Sequence, residues 1–478
     1  MKLSKTCSRL RSADIIANNL IKLGTSEWFS ARRASGISEK TTLKQLLYCC
    51  TCLRGCQLAP CSIRLEIMHF LAASIFIATY AGIAIGDVPG FALDRTGIAL
   101  LGAIAMLASG ILTTQQAVLA IDIPTILLLY SLMVLSSQFR LGGFYTWIVF
   151  RITRFMERPE RFLFLMMTVS AALSAIFVND IVCLVFAPVL TVSLLRAGLN
   201  PIPFLIGLAV SSNIGSAATI MGNPQNMLIG QLGRLHFGYF FLWCAPPSIL
   251  SFVGAFLIIK LKYGKNFSTQ HPHNVTESIE WPDFDRHQSL KGILATLLLL
   301  AAFFTPIPRE ISAIVIAGLL LCSRSIHTRA ILGLVDWHLI TLFCALFILI
   351  KGIETVNIPT ELMGVLSDNG IDLRNLYVLT GVSALVSNIV SNVPATMLLT
   401  NFLHPSVPNQ WYVLALSSTF AGNLITIGSI ANLITFEQAR EQGVIVGFRE
   451  HAKTGIPVTI LSLIIVAGWI WVARYLSL

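Results

Sequence analysis

The sequence predicts an all-α, polytopic membrane protein with two inverted repeats of about five spans, each containing a re-entrant helical hairpin and a broken helix. Hydrophobic residues make up 55% of the 478 residues and charged residues only 12%, about half of what a soluble protein carries. Several apolar runs approach the ~20 residues that cross a bilayer. Glycine-rich polar breaks recur at corresponding places in the two halves. We therefore expect a lipid bilayer around the chain.

The predicted organisation has four parts. Residues 1–67 form a basic, cysteine-rich extension that is poorly ordered or non-native, and residues 261–290 form a cytoplasmic linker. The linker separates the first repeat, 68–260, from the second, inverted repeat, 291–478. The predicted spans are 68–86, 97–112, 123–139, 203–225, 238–260, 291–305, 309–323, 337–351, 411–432 and 455–473.

Residues 1–67 carry eleven Lys and Arg against four acidic residues, and so most of the net charge of +10. No nucleic-acid module follows, so we predict no nucleic-acid partner, and basic segments beside spans are typical of the cytoplasmic side. When stretch 151–161 is placed in the cytoplasm, however, the number of predicted spans puts residues 1–67 on the outer side of the membrane. Either an extra crossing lies within 43–63, or the native chain starts at Met68, which we favour. Six cysteines lie here without paired zinc spacing, so incidental or acylated thiols are favoured and no metal site is predicted.

Two short apolar arms around a polar tip recur between the third and fourth span of each half. Arms 162–176 and 182–195 flank the tip at 177–180. Arms 376–386 and 395–402 flank the tip at 387–394. Each arm is too short to span alone, and a polar tip inside a membrane needs protein or water around it. The pattern predicts two re-entrant hairpins.

The two halves also align with each other. Laying 208–228 on 414–434 gives six identities, where roughly one or two are expected by chance in so apolar a window. The tips align Asn179 with Asn392. With the arginine-rich stretch 151–161 in the cytoplasm, the two hairpins enter from opposite faces, as in many secondary transporters.

Polar residues concentrate at the helix breaks. Gly and Pro at mid-membrane free backbone N–H and C=O groups, which can hold an ion or an anionic solute with help from amide and hydroxyl side chains. The alternative is that small residues only let helices pack closely. The predicted site residues are Asn179, Asp180, Asn213, Gly222, Asn223, Asn226, Ser391, Asn392, Asn423, Thr426, Gly428, Ser429 and Asn432.

Two charged residues are candidates for particular roles. Asp180 is a carboxylate in the first tip, and burying it is costly unless it is paired or protonated. It could coordinate Na⁺ or cycle a proton, or it could cap the following helix. Lys351 ends the third span of the second half, aligned with Ser137. It either snorkels to the interface or contacts an anion.

At these residues the chain resembles a known family. The motifs Val178-Asn179-Asp180, Asn213-Ile214-Gly215, residues 222–229, Ser391-Asn392-Val393-Pro394 and residues 428–432 are similar to the citrate-transporter-like domain of the ion transporter superfamily. That superfamily includes citrate–metal carriers, arsenite permeases, a type of Na⁺/H⁺ antiporter and sodium–divalent anion symporters. The resemblance covers about residues 68–475 and implies a homodimer with elevator-like movement. In the dicarboxylate branch each tip reads Ser-Asn-Thr, so these tips look more like the permease and antiporter side.

The function predicted is secondary active transport of a small anion, an inorganic oxyanion or a carboxylate, coupled to H⁺ or Na⁺ without other cofactors. The chain has no P-loop for ATP. An alternative is a Na⁺/H⁺ antiporter that depends on Asp180. A membrane-embedded enzyme is a remote alternative, because no HExxH or GxSxG with suitable partners occurs, and a passive channel is another. We expect a multi-pass protein of the bacterial inner or plasma membrane.

Overall fold

The computed structural model describes residues 66–86, 93–264, 267, 283–323 and 326–475. Among these residues it contains twenty α-helices, one short 3₁₀-helix and no β-strand. The all-α prediction is confirmed. Residues 1–65, with the predicted extension and its cysteines, lie outside the described residues, as does most of the predicted linker.

The first half contains ten helices. They are α1 (Glu66–Ile85), α2 (Arg95–Ala108), α3 (Thr114–Ala120), α4 (Ile123–Leu141), α5 (Phe144–Thr153), α6 (Pro159–Ile176), α7 (Asn179–Arg196), α8 (Pro201–Ser216), α9 (Pro224–Leu232) and α10 (Phe237–Tyr263).

The described part of the second half also contains ten α-helices. Its helices are α11 (Arg286–Ala302), α12 (Arg309–Leu321), α13 (Thr328–Leu332), α14 (Trp337–Thr355), α15 (Ile358–Asp368), α16 (Leu376–Val390), α17 (Asn392–Thr400), α18 (Pro408–Ala421), α19 (Ile430–Glu441) and α20 (Phe448–Tyr475), and the 3₁₀-helix covers Thr426–Gly428.

Seven helices in the described part of the chain are long and apolar enough to cross a membrane: α1, α4, α6, α7, α10, α14 and α20. The chain is therefore a multi-pass integral membrane protein. Every predicted span coincides with a helix or, at 203–225 and 411–432, with a helix pair separated by a break. The predicted breaks are present, between α8 and α9 and between α18 and α19.

The prediction that each hairpin arm is too short to span is wrong for the first hairpin. Both α6 and α7 have 18 residues, because Pro159 starts α6 early and α7 begins directly at the tip. Only Phe177 and Val178 separate them. In the second hairpin α16 has 15 residues and α17 has 9, on either side of Ser391. Re-entry of the hairpins stays a prediction.

Four short helices were not predicted: α3, α5, α13 and α15. Their apolar stretches are shorter than a span, so they looked like loops. The sequence could have indicated one of them. Thr113 and Gln116 form a capping box at the start of α3, a sequence pattern typical of helix starts.

Helix packing follows a paired pattern across the halves. Helix α4 packs on α12 and α14 packs on α2, while α6 packs on α8 and α16 packs on α18. Helix α7 packs on α19, and α9 packs on α17. Each contact thus has its counterpart with the halves exchanged, which supports the predicted repeat. The centre is formed by α8 and α18, which are buried on all sides over most of their length.

The contact between α6 and α8 brings two backbones together at a glycine. A Cβ added at Gly215 would overlap the main chain of Ala171 in α6. Close approach of this kind is the usual reason for glycine between membrane helices. Since α8 carries the predicted site residue Asn213 two positions before this glycine, the contact fixes the position of Asn213.

We expect Gly215→Ala to lower the thermal transition temperature of the protein purified in detergent. Overpacking of this kind costs about 1–3 kcal/mol, because two backbones must separate. Gly318→Ala in α12 is the matched control, since nothing lies within 4 Å of the added Cβ. Equal transition temperatures for the two variants would contradict the assigned contact.

Candidate functional site

The first helix break touches the first hairpin tip. Asn223 is the N-cap of α9, and its Oδ1 accepts a hydrogen bond from the Asn226 backbone N–H at 2.8 Å. A Cβ at Gly222 would overlap the main chain of Ser216. The Gly222 carbonyl accepts from the backbone N–H of Asn179, the first residue of α7, at 3.0 Å. Break and tip are therefore in direct contact, at a place that only glycine fits.

The second break has the same relation to the second tip. Ser391 reverses the chain with φ +73°, a conformation that L-residues rarely adopt. Asn392 begins α17, and its amide is satisfied when the nitrogen is assigned to the side on which it donates to the carbonyls of Ser418 and Gly428, both at 3.0 Å. A Cβ at Gly422 would crowd the Asn392 amide. Each tip is thus held against the break of its own half.

The two halves meet in a cluster of five buried side chains, which we call the asparagine cluster. Asn213 is its hub, and its Nδ2 donates to Oδ1 of Asn423 at 2.9 Å and of Asn432 at 3.1 Å. The Asn213 Oδ1 accepts from Nδ2 of Asn179 at 3.1 Å and from Oγ of Ser429 at 3.0 Å. None of the five is more than 3% exposed. Residues predicted from both halves are therefore brought together.

A histidine that was not predicted as a site residue contacts the backbone of this cluster. His451 in α20 is fully buried, and its Nε2 lies 3.1 Å from the backbone oxygen of Asn423. A carbonyl only accepts, so this nitrogen carries the hydrogen in the bond. The asparagine cluster itself consists of amides and one hydroxyl, so it holds its contacts without a formal charge.

In two of the predicted site residues, the side-chain amide nitrogen already donates hydrogen bonds to other groups of the protein. Asn226 Nδ2 donates to the carbonyls of Ser216 at 3.2 Å and Thr219 at 2.9 Å. Asn223 Nδ2 donates to the Ser216 hydroxyl at 2.9 Å. Both residues are completely buried. Their amides satisfy the groups freed by the break, and this role is sufficient to explain them.

Several buried oxygens around the tips have no partner in the described part of the chain. They are Oδ1 of Asn179 and Asn388, Oγ of Ser387, and Oγ1 of Thr396 and Thr426. Unpaired buried polar atoms are rare and need an explanation such as a ligand or ion. Ser387, Asn388 and Thr396 were not predicted as site residues, although two of them lie in the polar tip at 387–394.

Asp180 does not join the asparagine cluster. It lines a separate cavity of about 60 Å³ together with Arg140 and Asp336. The predicted helix-cap role is wrong, because Val178 is the N-cap of α7 and no side chain caps it. Consecutive residues leave a helix about 100° apart, so Asn179 and Asp180 face two different sites.

Lys351 lines a cavity of about 570 Å³ beside α4 and α14, together with Asp122 and Glu354. Its Nζ lies 3.0 Å from the Glu354 carboxylate, and both side chains are partly exposed. The positive charge therefore already has a partner, which weakens the predicted role as an anion contact.

Comparison with known proteins gives consistent results. A family described as Citrate transporter matches residues 75–421. The chain is 28% identical over 432 residues to an uncharacterised transporter of Mycobacterium tuberculosis, and this alignment covers 85% of the chain and 99% of that protein. It is 25% identical over 446 residues to a silicon efflux transporter of Oryza sativa, at 78% and 92% coverage. It is 30% identical over 330 residues to the inner membrane protein YbiR of Escherichia coli, at 68% and 82%.

We expect Asn213→Ala to destabilise the protein strongly, because four hydrogen-bond partners of the hub lose their contact inside the protein. Each buried group left unpaired costs about 1–3 kcal/mol, so the thermal transition should fall well below that of Asn369→Ala, an exposed asparagine at the end of α15. Equal transition temperatures for both variants would contradict the hub role.

Proposed function

Because the chain belongs to the citrate transporter family, we propose that it is a secondary active transporter of a small inorganic oxyanion or carboxylate, driven by H⁺ or Na⁺. The observation that carries the proposal is the asparagine cluster. It joins a tip and a break of one half to the break of the other half in a fully buried position. Amides shared by two halves give a binding unit that neither half can form alone.

The solute would bind where the cluster still has free hydrogen-bonding capacity. Asn423 Nδ2 is a buried donor without a partner among the described residues, and it can donate to a solute oxygen. Oδ1 of Asn179 is a buried acceptor without one, and it can receive a hydrogen from a protonated solute or contact a cation. The set suits a compact solute rich in oxygen atoms.

Sodium coupling has its own support at the second tip. Asn388 Oδ1 and Thr426 Oγ1 are unpaired oxygens, and a Cβ at Gly428 would lie 2.9 Å from the former, so the Asn388 oxygen lies beside the 3₁₀-helix that includes Thr426. Hard cations take oxygen ligands. A Na⁺/H⁺ antiporter is therefore the second candidate function, and it would use the same oxygens without an organic or inorganic anion.

Elevator-like movement is part of the proposal. The hairpins and breaks pack on one another, α6 on α8, α16 on α18 and α7 on α19, whereas α4 packs on α12 and α14 on α2. This division supports a moving binding unit against a scaffold. The homodimer implied by the resemblance remains a prediction that cross-linking in membranes would test.

The choice of solutes for an assay follows from the tips and the relatives. The tips lack the Ser-Asn-Thr of the dicarboxylate branch, and one relative is named a silicon efflux transporter. We therefore rank arsenite and silicic acid, which are small weak oxyacids, before citrate, succinate and sulfate.

We expect purified protein in proteoliposomes to accumulate at least one of these five solutes above equilibrium when a proton or sodium gradient is imposed. Asn179→Ala should reduce that uptake by about tenfold or more, since it removes one hydrogen bond to the hub and one free acceptor. Asn369→Ala is the matched control. Gradient-driven Na⁺/H⁺ exchange with no solute uptake would select the antiporter, and downhill flux alone would indicate a channel.

A further inference from the structure

Asn179 and Asp180, the first two residues of α7, face two different sites. Asn179 donates to the hub of the asparagine cluster, while Asp180 lines the cavity of about 60 Å³. A cavity of this size has room for a few water molecules, and water is enough to carry protons.

Three charged groups line this cavity, and they come from three different helices. Asp336 at the start of α14 is exposed, whereas Arg140 at the end of α4 and Asp180 in α7 are half-buried. The Asp336 carboxylate is already used, because it accepts from the backbone N–H of Leu339 at 2.9 Å. No hydrogen bond or ion pair within the described residues engages Asp180. Two carboxylates and one guanidinium leave the cavity one negative charge in excess.

The helices packed against α7 contribute little further charge at this point. Helix α8 contains no titratable residue, and α19 reaches the cavity through Ile434. In α5, Tyr145 is fully buried and hydrogen-bonded to Ser136 at 2.8 Å. The remaining titratable residues of α5, α6, α7 and α19 that do not line the cavity are Arg151, Glu160, Arg161, Cys183, Arg196, Glu437, Arg440 and Glu441.

We propose that Asp180 is the site that takes up and releases the coupling proton, separately from the solute, through the cavity that Arg140 and Asp336 line. The proposal rests on the proposed transport function and deepens it. In this step the carboxylate takes up one proton that is delivered through water in the cavity. It becomes a neutral acid, so the cavity loses its excess negative charge. Arg140 and Asp336 place one opposite and one like charge at the same cavity as Asp180.

The placement next to Asn179 explains how the proton and the solute could be coupled. The charge on Asp180 sits one residue from a hydrogen bond to the hub, in the first turn of α7. An ionised carboxylate is stabilised at a helix N-terminus. Protonation therefore weakens the hold on the first turn that carries Asn179, so the solute site is affected without direct contact.

The test compares two kinds of flux in proteoliposomes with the panel of arsenite, silicic acid, citrate, succinate and sulfate. Counterflow exchanges labelled for unlabelled solute and needs no net proton movement, whereas accumulation driven by a pH gradient does. Asp180→Asn mimics the protonated acid in shape. We expect it to keep counterflow within about twofold of wild type and to lose pH-driven accumulation and solute-dependent proton flux, read with an internal pH dye.

The matched control is Asp368→Asn, an exposed carboxylate at the end of α15, which should keep both fluxes. If Asp180→Asn still accumulates solute on a pH gradient, the proposal is wrong. If it loses counterflow as well, Asp180 serves the solute site or folding, and the proposal is also wrong. If wild type moves none of the five solutes, the proposed function itself fails, so the two failures are distinguishable.

Charge neutralisation at the two neighbours gives a second, independent readout. Removing the positive charge with Arg140→Gln should let Asp180 keep its proton to higher pH. Removing the like charge with Asp336→Asn should let it ionise at lower pH. We expect the pH dependence of solute-coupled proton flux to shift in opposite directions, by about half a pH unit each. Shifts in the same direction, or none, would overturn the role of this cavity.

Discussion

The constraint on which the structure depends is the satisfaction of backbone groups freed by two helix breaks inside a membrane protein. An unpaired backbone group in that setting costs several kcal/mol. Asparagine side chains meet the need, because Asn432 Nδ2 donates to the carbonyls of Gly422 at 2.7 Å and Ile425 at 3.3 Å. Asn226 does the same at the first break. The breaks are thus stable only because amides at fixed spacing fold back onto them.

The same amides limit what the site can bind. Once the asparagine cluster has formed, most of its nitrogen atoms are used, and the atoms left over are mainly oxygens at the two tips. An unpaired oxygen attracts a hydrogen or a cation. A bare anion would meet few donors, so a solute would have to arrive with Na⁺ or as a protonated acid. The proposed coupling to a cation agrees with the chemistry of these remaining atoms.

Much of this could be predicted from the sequence, and the limits have a physical reason. Glycine and proline located both breaks, and Asn179, Asn213 and Asn432 proved to share one cluster. Spacing could not separate the hub Asn213 from the bracing Asn226, since the partners of Asn213 lie up to 219 residues away, whereas the partners of Asn226 lie within ten residues. Nor could it show that Asp180 turns from the cluster, because the rotation of a helix depends on neighbours distant in sequence. Both helices of the first hairpin were predicted too short, because α6 already begins at Pro159 and α7 includes Asn179 and Asp180 of the tip.

Two cavities show how one pair of helices can serve both sides of such a site. The start of α4 and the end of α14 share the larger cavity, through Asp122 and Lys351. The end of α4 and the start of α14 share the smaller one, through Arg140 and Asp336. The two helices therefore run antiparallel, and each cavity is lined by two carboxyl groups and one basic group. Their volumes differ about tenfold. Under the proposed elevator-like movement, an exchange of the two cavity shapes would need no new type of contact, because both cavities are lined by the same kinds of charged group.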